Sequence, residues 1–156
     1  VWSSGVEVVN EVVVTNSYSN VVSLVEGEYT WGVNASNSMP SATGFNEHRP
    51  LYIDQTIPAT SLIVSPVGVT SGLYVDSVIT FDWFRYAQNG VVNSPVSDSV
   101  FIYSDTLYNP IVSFECALED TSSVFSTSGT YFWRIKTYDA AGNENEASSA
   151  IQFTIQ

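Results

Sequence analysis

The chain has 156 residues, of which 44% are hydrophobic and 13% aromatic, enough to build a folded core and to exclude a disordered chain. Sixteen acidic residues oppose four basic ones, and the formal net charge of −12 argues against nucleic acid and anionic membrane surfaces as partners. With a single cysteine, Cys116, an intrachain disulfide and a thiolate metal cluster are excluded, and no apolar run approaches the roughly 18 residues of a transmembrane segment.

The first third of the chain is rich in valine and alternates apolar with polar residues, a pattern typical of β-strands. The pattern predicts four strands, at Val6–Thr15, Val21–Val25, Glu28–Ala35 and Pro50–Asp54. Val8, Val12 and Val14 lie in the first of these. A strand at the edge of an incomplete sheet offers unpaired backbone groups, so we expect these valines to mark a place where a strand of another chain can pair.

The remaining two thirds contain strand signals every 8 to 15 residues and no helical periodicity. Seven strands separated by turn signals predict an all-β fold, an immunoglobulin-like or fibronectin type III-like β-sandwich. The predicted strands are Ser61–Pro66, Val78–Phe84, Ser99–Tyr103, Ile111–Leu118, Ser123–Ser126, Thr130–Tyr138 and Ala150–Ile155.

An internal repeat divides the chain. The run Gly27–Val33 (GEYTWGV) returns 102 residues later as Gly129–Ile135 (GTYFWRI), and Leu51–Asp54 falls on Phe153–Gln156 at the same offset. The second copy can fill residues 55–156 as a complete domain. The first copy has only residues 1–54, which predicts the C-terminal half of a similar domain whose first strands are missing. We therefore expect a neighbouring chain or an absent segment to complete it.

The charges indicate which side of the repeated strand faces the core. Arg134 and Lys136 occupy one side of the second copy, so Tyr131, Trp133 and Ile135 are predicted to point inward. By the same offset, inward positions are predicted for the first-copy residues Tyr29, Trp31 and Val33. Trp83 is expected to face Trp133 from the opposite sheet. Trp2 is expected to be covered by the missing strands when they are present. Cys116 is expected to be buried.

The closing part of the second copy carries a resemblance to a known class of proteins. The run Gly129–Lys136, followed by Tyr138–Asn143 (YDAAGN), resembles the closing hairpin of bacterial surface immunoglobulin-like and fibronectin type III-like tandem repeats. The run Ile53–Pro58 (IDQTIP) is similar to the linkers of such repeats in adhesins and secreted multidomain proteins. The resemblance implies an extracellular or cell-surface location. It also implies tandem domains or identical subunits as partners, and a cell-surface ligand or glycan.

Calcium is the one cofactor that the resemblance implies, because some adhesin repeats hold calcium at domain junctions. Calcium is bound by six to eight oxygens, and the candidate ligands are Asp54 at the junction and Asp139, Asn143 and Glu144 in an oxygen-rich loop at the end of the second domain. The alternative is that Asp139 and Asn143 only form a turn and that Asp54 only shapes the linker.

No catalytic motif accompanies the lone histidine, His48, in its polar loop, so the sequence predicts a protein that is not an enzyme. The first functional hypothesis is a structural or adhesive module of a tandem-repeat surface protein or of an extracellular fibre. The alternative is a carbohydrate-binding accessory domain of a secreted enzyme. It requires a row of exposed aromatic side chains, for which the candidates are Tyr86, Tyr103, Tyr108 and Tyr138.

Overall fold

The structure is a computed structural model that describes residues 1–15, 17, 19, 23–35, 47–68, 72–107 and 109–156. The secondary structure of these residues consists of β-strands, and the chain divides into two compact units. Unit 1 comprises Val1–Thr56 together with Gly90–Asn93, and unit 2 comprises Ile57–Asn89 together with Ser94–Gln156. None of the described residues forms a helix long and apolar enough to cross a lipid bilayer.

Unit 2 is a β-sandwich of two antiparallel sheets, as the alternating pattern of its sequence predicts. In its described part, one sheet has the order β5-β6-β9 and the other the order β11-β10-β7-β8. This confirms the immunoglobulin-like or fibronectin type III-like fold. The strands are β5 (Leu62–Ser65), β6 (Val78–Phe84), β7 (Val96–Tyr103), β8 (Pro110–Cys116), β9 (Asp120–Val124), β10 (Gly129–Asp139) and β11 (Ile151–Ile155).

The core of unit 2 lies between the sheets and follows from the period-two alternation of each strand. Tyr131, Trp133 and Ile135 of β10 are buried, as predicted, and Trp133 is fully so. From the opposite sheet Phe81 meets the Trp133 ring edge-on at 5.0 Å between centroids, and Trp83 lies at 6.5 Å, which confirms its predicted position. Burying a large aromatic side chain contributes on the order of 3 kcal/mol, so this contact is a major part of what holds the two sheets together.

A tyrosine near the start of β10 fixes the loop that leads into that strand. The Tyr131 hydroxyl donates a hydrogen bond to the Thr127 carbonyl at 2.8 Å, four residues upstream. This arrangement is the tyrosine corner found in many immunoglobulin-like sandwiches.

Unit 1 contains a sheet with the same strand order as the larger sheet of unit 2. Its strands are β1 (Trp2–Ser3), β2 (Val6–Glu7), β3 (Gly27–Trp31) and β4 (Arg49–Ile53). The described part of the sheet has the order β2-β1-β3-β4, which parallels β8-β7-β10-β11. The pairing of β3 with β4 repeats the register of β10 with β11 residue for residue: Tyr29 lies opposite Leu51 as Tyr131 lies opposite Phe153.

The tyrosine corner is repeated as well. The Tyr29 hydroxyl donates to the Val25 carbonyl at 2.9 Å, and both residues precede their unit 2 counterparts by 102 positions. The two units differ by one residue at β1. In unit 2, Tyr103 pairs with Phe132, and an offset of 102 would place Val1 opposite Thr30. In unit 1 the residue opposite Thr30 is instead Trp2. The sequence repeat is therefore also a structural repeat, with a shift of one residue at β1.

The predicted inward side of β3 is right for Tyr29, which is buried, and Trp31 lies on the same side of the strand. The expected core burial of Trp31 and Val33 is wrong: they are 39% and 69% exposed, although their counterparts Trp133 and Ile135 are fully buried. The physical reason is that unit 1 contains no second sheet among its described residues. Trp2 pairs with Thr30 and so lies on the face opposite Trp31, where its ring stacks on His48 at 4.7 Å between centroids.

The long strand predicted over Val6–Thr15 is also wrong, since only Val6–Glu7 forms a strand. The amides of Val8 and Val9 both donate to the Val1 carbonyl, which closes the short β1–β2 hairpin and ends the ladder. In the prediction Val21–Val25, the first two residues lie outside the described residues and 23–25 do not form a strand.

We expect Tyr131→Phe to destabilise the chain by about 1 kcal/mol, because it removes one net hydrogen bond and leaves the Thr127 carbonyl without it. The measurement is urea denaturation of the full chain. Tyr138→Phe, at a half-buried position on the same strand, is the control. Equal midpoints for the two variants would contradict a stabilising tyrosine corner.

Candidate functional site

The main candidate site is the side of the β3–β4 sheet that carries Tyr29 and Trp31, which we call the inner face. Tyr29 is buried at one end of it, and Leu51 and Ile53 on β4 are half-buried. Exposure then increases from Tyr29 to Trp31, the last residue of β3, and to Val33 two residues beyond it. The inner face is thus closed at the tyrosine corner and open at the other end.

The open end of the inner face is a depression of about 310 Å³. It is lined by Trp31, Gly32, Val33, Glu47 and Arg49. The Arg49 guanidinium pairs with the Glu47 carboxylate at 3.3 Å, and both side chains are largely exposed. An exposed indole beside a charged pair can bind an apolar side chain or a ring, but it offers no enclosed space for chemistry.

Within unit 1, a carboxylate binds both the segment that follows β4 and the segment Gly90–Asn93. The Glu26 carboxylate accepts hydrogen bonds from the Thr56 hydroxyl at 2.6 Å, from the Val91 amide at 2.6 Å and from the Val92 amide at 3.2 Å. The Thr56 hydrogen bond is the main cause that lowers the pKa of Glu26, so this carboxylate is ionised at neutral pH. The residue next to this carboxylate, at position 90, must be a glycine, because a Cβ atom there would lie 2.6 Å from the Glu26 Oε1 atom.

The predicted calcium ligands are distributed over the two units. Asp54 belongs to unit 1, where its Oδ1 accepts the Thr56 amide at 3.1 Å. In unit 2, Asp139 is bonded to Asn143 twice: its Oδ1 accepts the Asn143 amide and its Oδ2 accepts the Asn143 side-chain nitrogen, both at 2.8 Å. Glu144 pairs with Lys136 at 2.8 Å. An ion at this loop would compete with those bonds, and no group of three or more His, Cys, Asp or Glu suited to a metal occurs among the described residues.

The predicted pairing positions Val8, Val12 and Val14 are all exposed, and Val12 and Val14 almost completely. All three lie outside the strands. Only Val8 directly follows a strand, β2, which forms the outermost position of its sheet in the order given above. Pairing with another chain stays a prediction for these residues.

Sequence reasoning missed a buried ionic network in unit 2. Asp98 is almost completely buried between the sheets, and its Oδ2 accepts the Trp83 indole N–H at 2.7 Å and the Arg85 guanidinium at 2.5 Å. Its Oδ1 accepts the Thr137 hydroxyl at 2.6 Å and the Ser61 hydroxyl at 3.3 Å. A carboxylate with this many donors is a cross-link between the sheets, since its donors come from both sides of the sandwich.

The single cysteine, Cys116, is a poor candidate for a reactive group. Cys116 is half-buried rather than fully buried, and burial is the main cause that raises the pKa of its thiol, which disfavours the reactive thiolate.

Tyr103, one of the aromatic residues considered for carbohydrate binding, is buried, and the Arg134 guanidinium lies 5.3 Å from its ring centre. It therefore cannot join a row of exposed aromatic side chains. Tyr108 lies outside the described residues.

Comparisons with known proteins support the fold. No protein-family model matches the chain, and no curated protein sequence matches it. Among solved structures, it is similar to domains d3–d4 of the extracellular region of rat CD45, with a TM-score of 0.51 and 11% sequence identity. The match covers 92% of this chain and 73% of the CD45 chain. At this identity the likeness shows the fold alone.

We expect Asp98→Asn to destabilise unit 2 by about 3–5 kcal/mol, because it leaves the largely buried Arg85 guanidinium without its charged partner. Glu115→Gln is the matched control: Glu115 is an exposed acid on β8, opposite Ser99 of β7. Its expected effect is within about 0.5 kcal/mol. Chemical denaturation of the full chain measures both, and equal effects would show that Asp98 is not a cross-link.

The Glu26 bonds should weaken in acid. The pKa of Glu26 is lower in the folded chain than its ordinary value of 4.5, so its stabilisation is present above pH 4.5 and is lost as the pH falls through the folded value. We expect faster hydrogen exchange at the Val91 and Val92 amides in Glu26→Gln than in the unmodified chain at pH 7, and a smaller difference at about pH 3. Glu28→Gln, at an exposed position on β3, should not change exchange at either pH. An equal difference at both pH values would argue against an ionised Glu26 as the acceptor.

Proposed function

We propose that the chain is a non-catalytic structural or adhesive part of an extracellular tandem-repeat protein. The observation that carries this proposal is the repetition of one hairpin, with the same register and the same tyrosine corner, 102 residues apart. Repetition of a stable sandwich element extends a protein without adding a reaction centre.

The way in which polar groups are used supports a structural role. The Asp98 carboxylate is saturated with donors, the Glu26 carboxylate joins two segments within unit 1, and Asp139 closes a turn. A catalytic carboxylate or nucleophile instead needs a free position facing a pocket that excludes water. The depression beside Trp31 is open and shallow and does not provide one.

An extracellular location agrees with the fold likeness to an extracellular region and with a surface of high negative charge, which keeps chains soluble and separate. Partners in this proposal are further domains of the same polypeptide or identical subunits, together with a cell-surface ligand or glycan bound through loops. A bacterial adhesin role rests on the sequence resemblance described above.

Surface labelling tests this location. Antibodies raised against the purified chain are expected to label intact cells of the source organism, and protease added outside the cells is expected to remove the label. A cytoplasmic marker, protected from the same protease, is the control. Labelling that requires permeabilised cells would contradict the proposal.

Carbohydrate binding is the second candidate, and one exposed aromatic pair favours it. Phe84 and Tyr86 lie at the end of β6 with ring centroids 5.2 Å apart, and both are about half exposed. Apolar faces of sugar rings pack on such side chains. Binding to immobilised polysaccharides that is lost in Phe84→Ala and Tyr86→Ala, and kept in the control Leu107→Ala at another exposed site, would favour this candidate over a purely structural role.

Calcium binding by Asp54 or by the loop of Asp139, Asn143 and Glu144 is part of the proposal. At about 10 mM calcium, a site with a dissociation constant of about 1 mM would contribute about 1.4 kcal/mol to stability and raise the melting temperature. We expect a chelator to reverse the rise, and Asp54→Asn and Asp139→Asn to show which site is responsible. The same melting temperature with calcium and with chelator would remove calcium from the proposal.

A further inference from the structure

The comparison of two equivalent tryptophans shows what the inner face of unit 1 lacks. In unit 2 the Trp133 ring is covered by Phe81 and Trp83 of β6, and its Nε1 donates to the Pro66 carbonyl at 2.9 Å. All three partners come from the segment that contains β5 and β6. Trp31 occupies the equivalent place in a hairpin of identical register, and it is exposed.

We propose that the inner face of unit 1 binds a pair of strands resembling β5 and β6 that precedes β1 in the same polypeptide. This inference rests on the proposed tandem-repeat function and specifies the partner of its first repeat. The strand order supports the placement: in unit 2, β5 and β6 come before β7, and β1 holds the place of β7 in unit 1. A segment placed before β1 can therefore reach the inner face by the same connection.

The chemistry of the bound segment follows from the face that it covers. Opposite Trp31 it carries a large apolar or aromatic side chain, and a backbone carbonyl lies where it can accept the indole N–H, as the Pro66 carbonyl does in unit 2. Arg49 stands at the position of Ile151 in the other hairpin, so the rim of this face carries the Arg49–Glu47 ion pair in place of an apolar side chain. A polar residue of the segment fits there better than the apolar neighbours that Ile151 has.

A second copy of the chain is a poorer source of these strands. Its own β5–β6 segment is held in unit 2 by the bonds of Ser61 and Trp83 to Asp98, and by full burial of Phe81. Releasing the segment would expose that core and leave the Asp98 carboxylate without two of its donors. Face-to-face pairing of two inner faces is opposed by charge, because the sequence of unit 1 contains six acidic residues and a single basic one, Arg49.

The pairing of β1 with β3 shows where an added strand pair must be joined to the chain. Trp2 holds the place of Tyr103, so a copy of residues 57–101 joined directly to Val1 supplies the strand pair in the correct register to the full chain. The readouts are binding of an apolar dye, fluorine NMR of 5-fluorotryptophan assigned through Trp31→Phe, and hydrogen exchange of β3 and β4. The matched control is the same extension with both copied aromatic residues, Phe81 and Trp83, changed to serine.

We expect the extension to abolish most dye binding, to shift the Trp31 signal to that of a buried indole, and to slow exchange of the β3 and β4 amides by about tenfold or more. In the serine control, dye binding, the Trp31 fluorine signal and the exchange rates of β3 and β4 should stay near their values in the original chain. Slow exchange in β10 serves as the internal measure that unit 2 remains folded.

Two results would overturn the inference. The first is a Trp31 signal that stays exposed in the extended chain while β10 remains protected. The second is a dimer of the original chain in sedimentation that already protects Trp31 and dissociates in Trp31→Ser, which would identify a second copy as the partner. Neither result bears on surface labelling of cells, so failure of this inference and failure of the proposed function are distinguishable.

Discussion

The packing of the Tyr-x-Trp strand against an opposing sheet is the interaction on which the rest of this structure depends. In unit 2 the Trp133 indole is surrounded by Phe81 and Trp83 and donates to the Pro66 carbonyl, so one side chain joins both sheets. Edge-to-face aromatic contacts and a satisfied indole N–H make the position specific as well as apolar. Where the opposing strands are absent from the described residues, as in unit 1, the same hairpin forms and its tryptophan is exposed.

Two kinds of interaction therefore operate at different ranges. The hairpin register and the tyrosine corner are local: they need only a strand, its neighbour and a loop of four residues, and both units have them. Burial of the inward side chains is long-range and needs a second sheet. The Asp98 network belongs to the second kind, since it ties Ser61, Trp83 and Thr137 across the sandwich. It also explains why unit 2 is a poor donor of strands to a neighbour.

The use of charge is consistent with a structural protein. The carboxylates of Glu26, Asp98 and Asp139 each serve as acceptors for several donors of this chain, between two segments of unit 1, inside a core and in a turn. The many other acidic residues give the surface its net negative charge. Function in this proposal comes from how such domains are joined and covered, and the inner face beside Trp31 is one place where the described residues leave apolar surface open.

From alternation and tryptophan spacing, which are local signals, the sequence predicts the all-β fold, the strand Val78–Phe84 with its bounds, the inward side of β10 and the offset of the repeat. It mispredicted a strand over Val6–Thr15, since alternating valines do not supply a neighbouring strand to bond with. Long-range packing buries Trp133 while Trp31 is exposed, places Arg134 over Tyr103, and brings donors from distant strands to Asp98. Those outcomes depend on which sheet faces which, and the glycine, tyrosine and tryptophan that the two seven-residue runs share do not encode that difference.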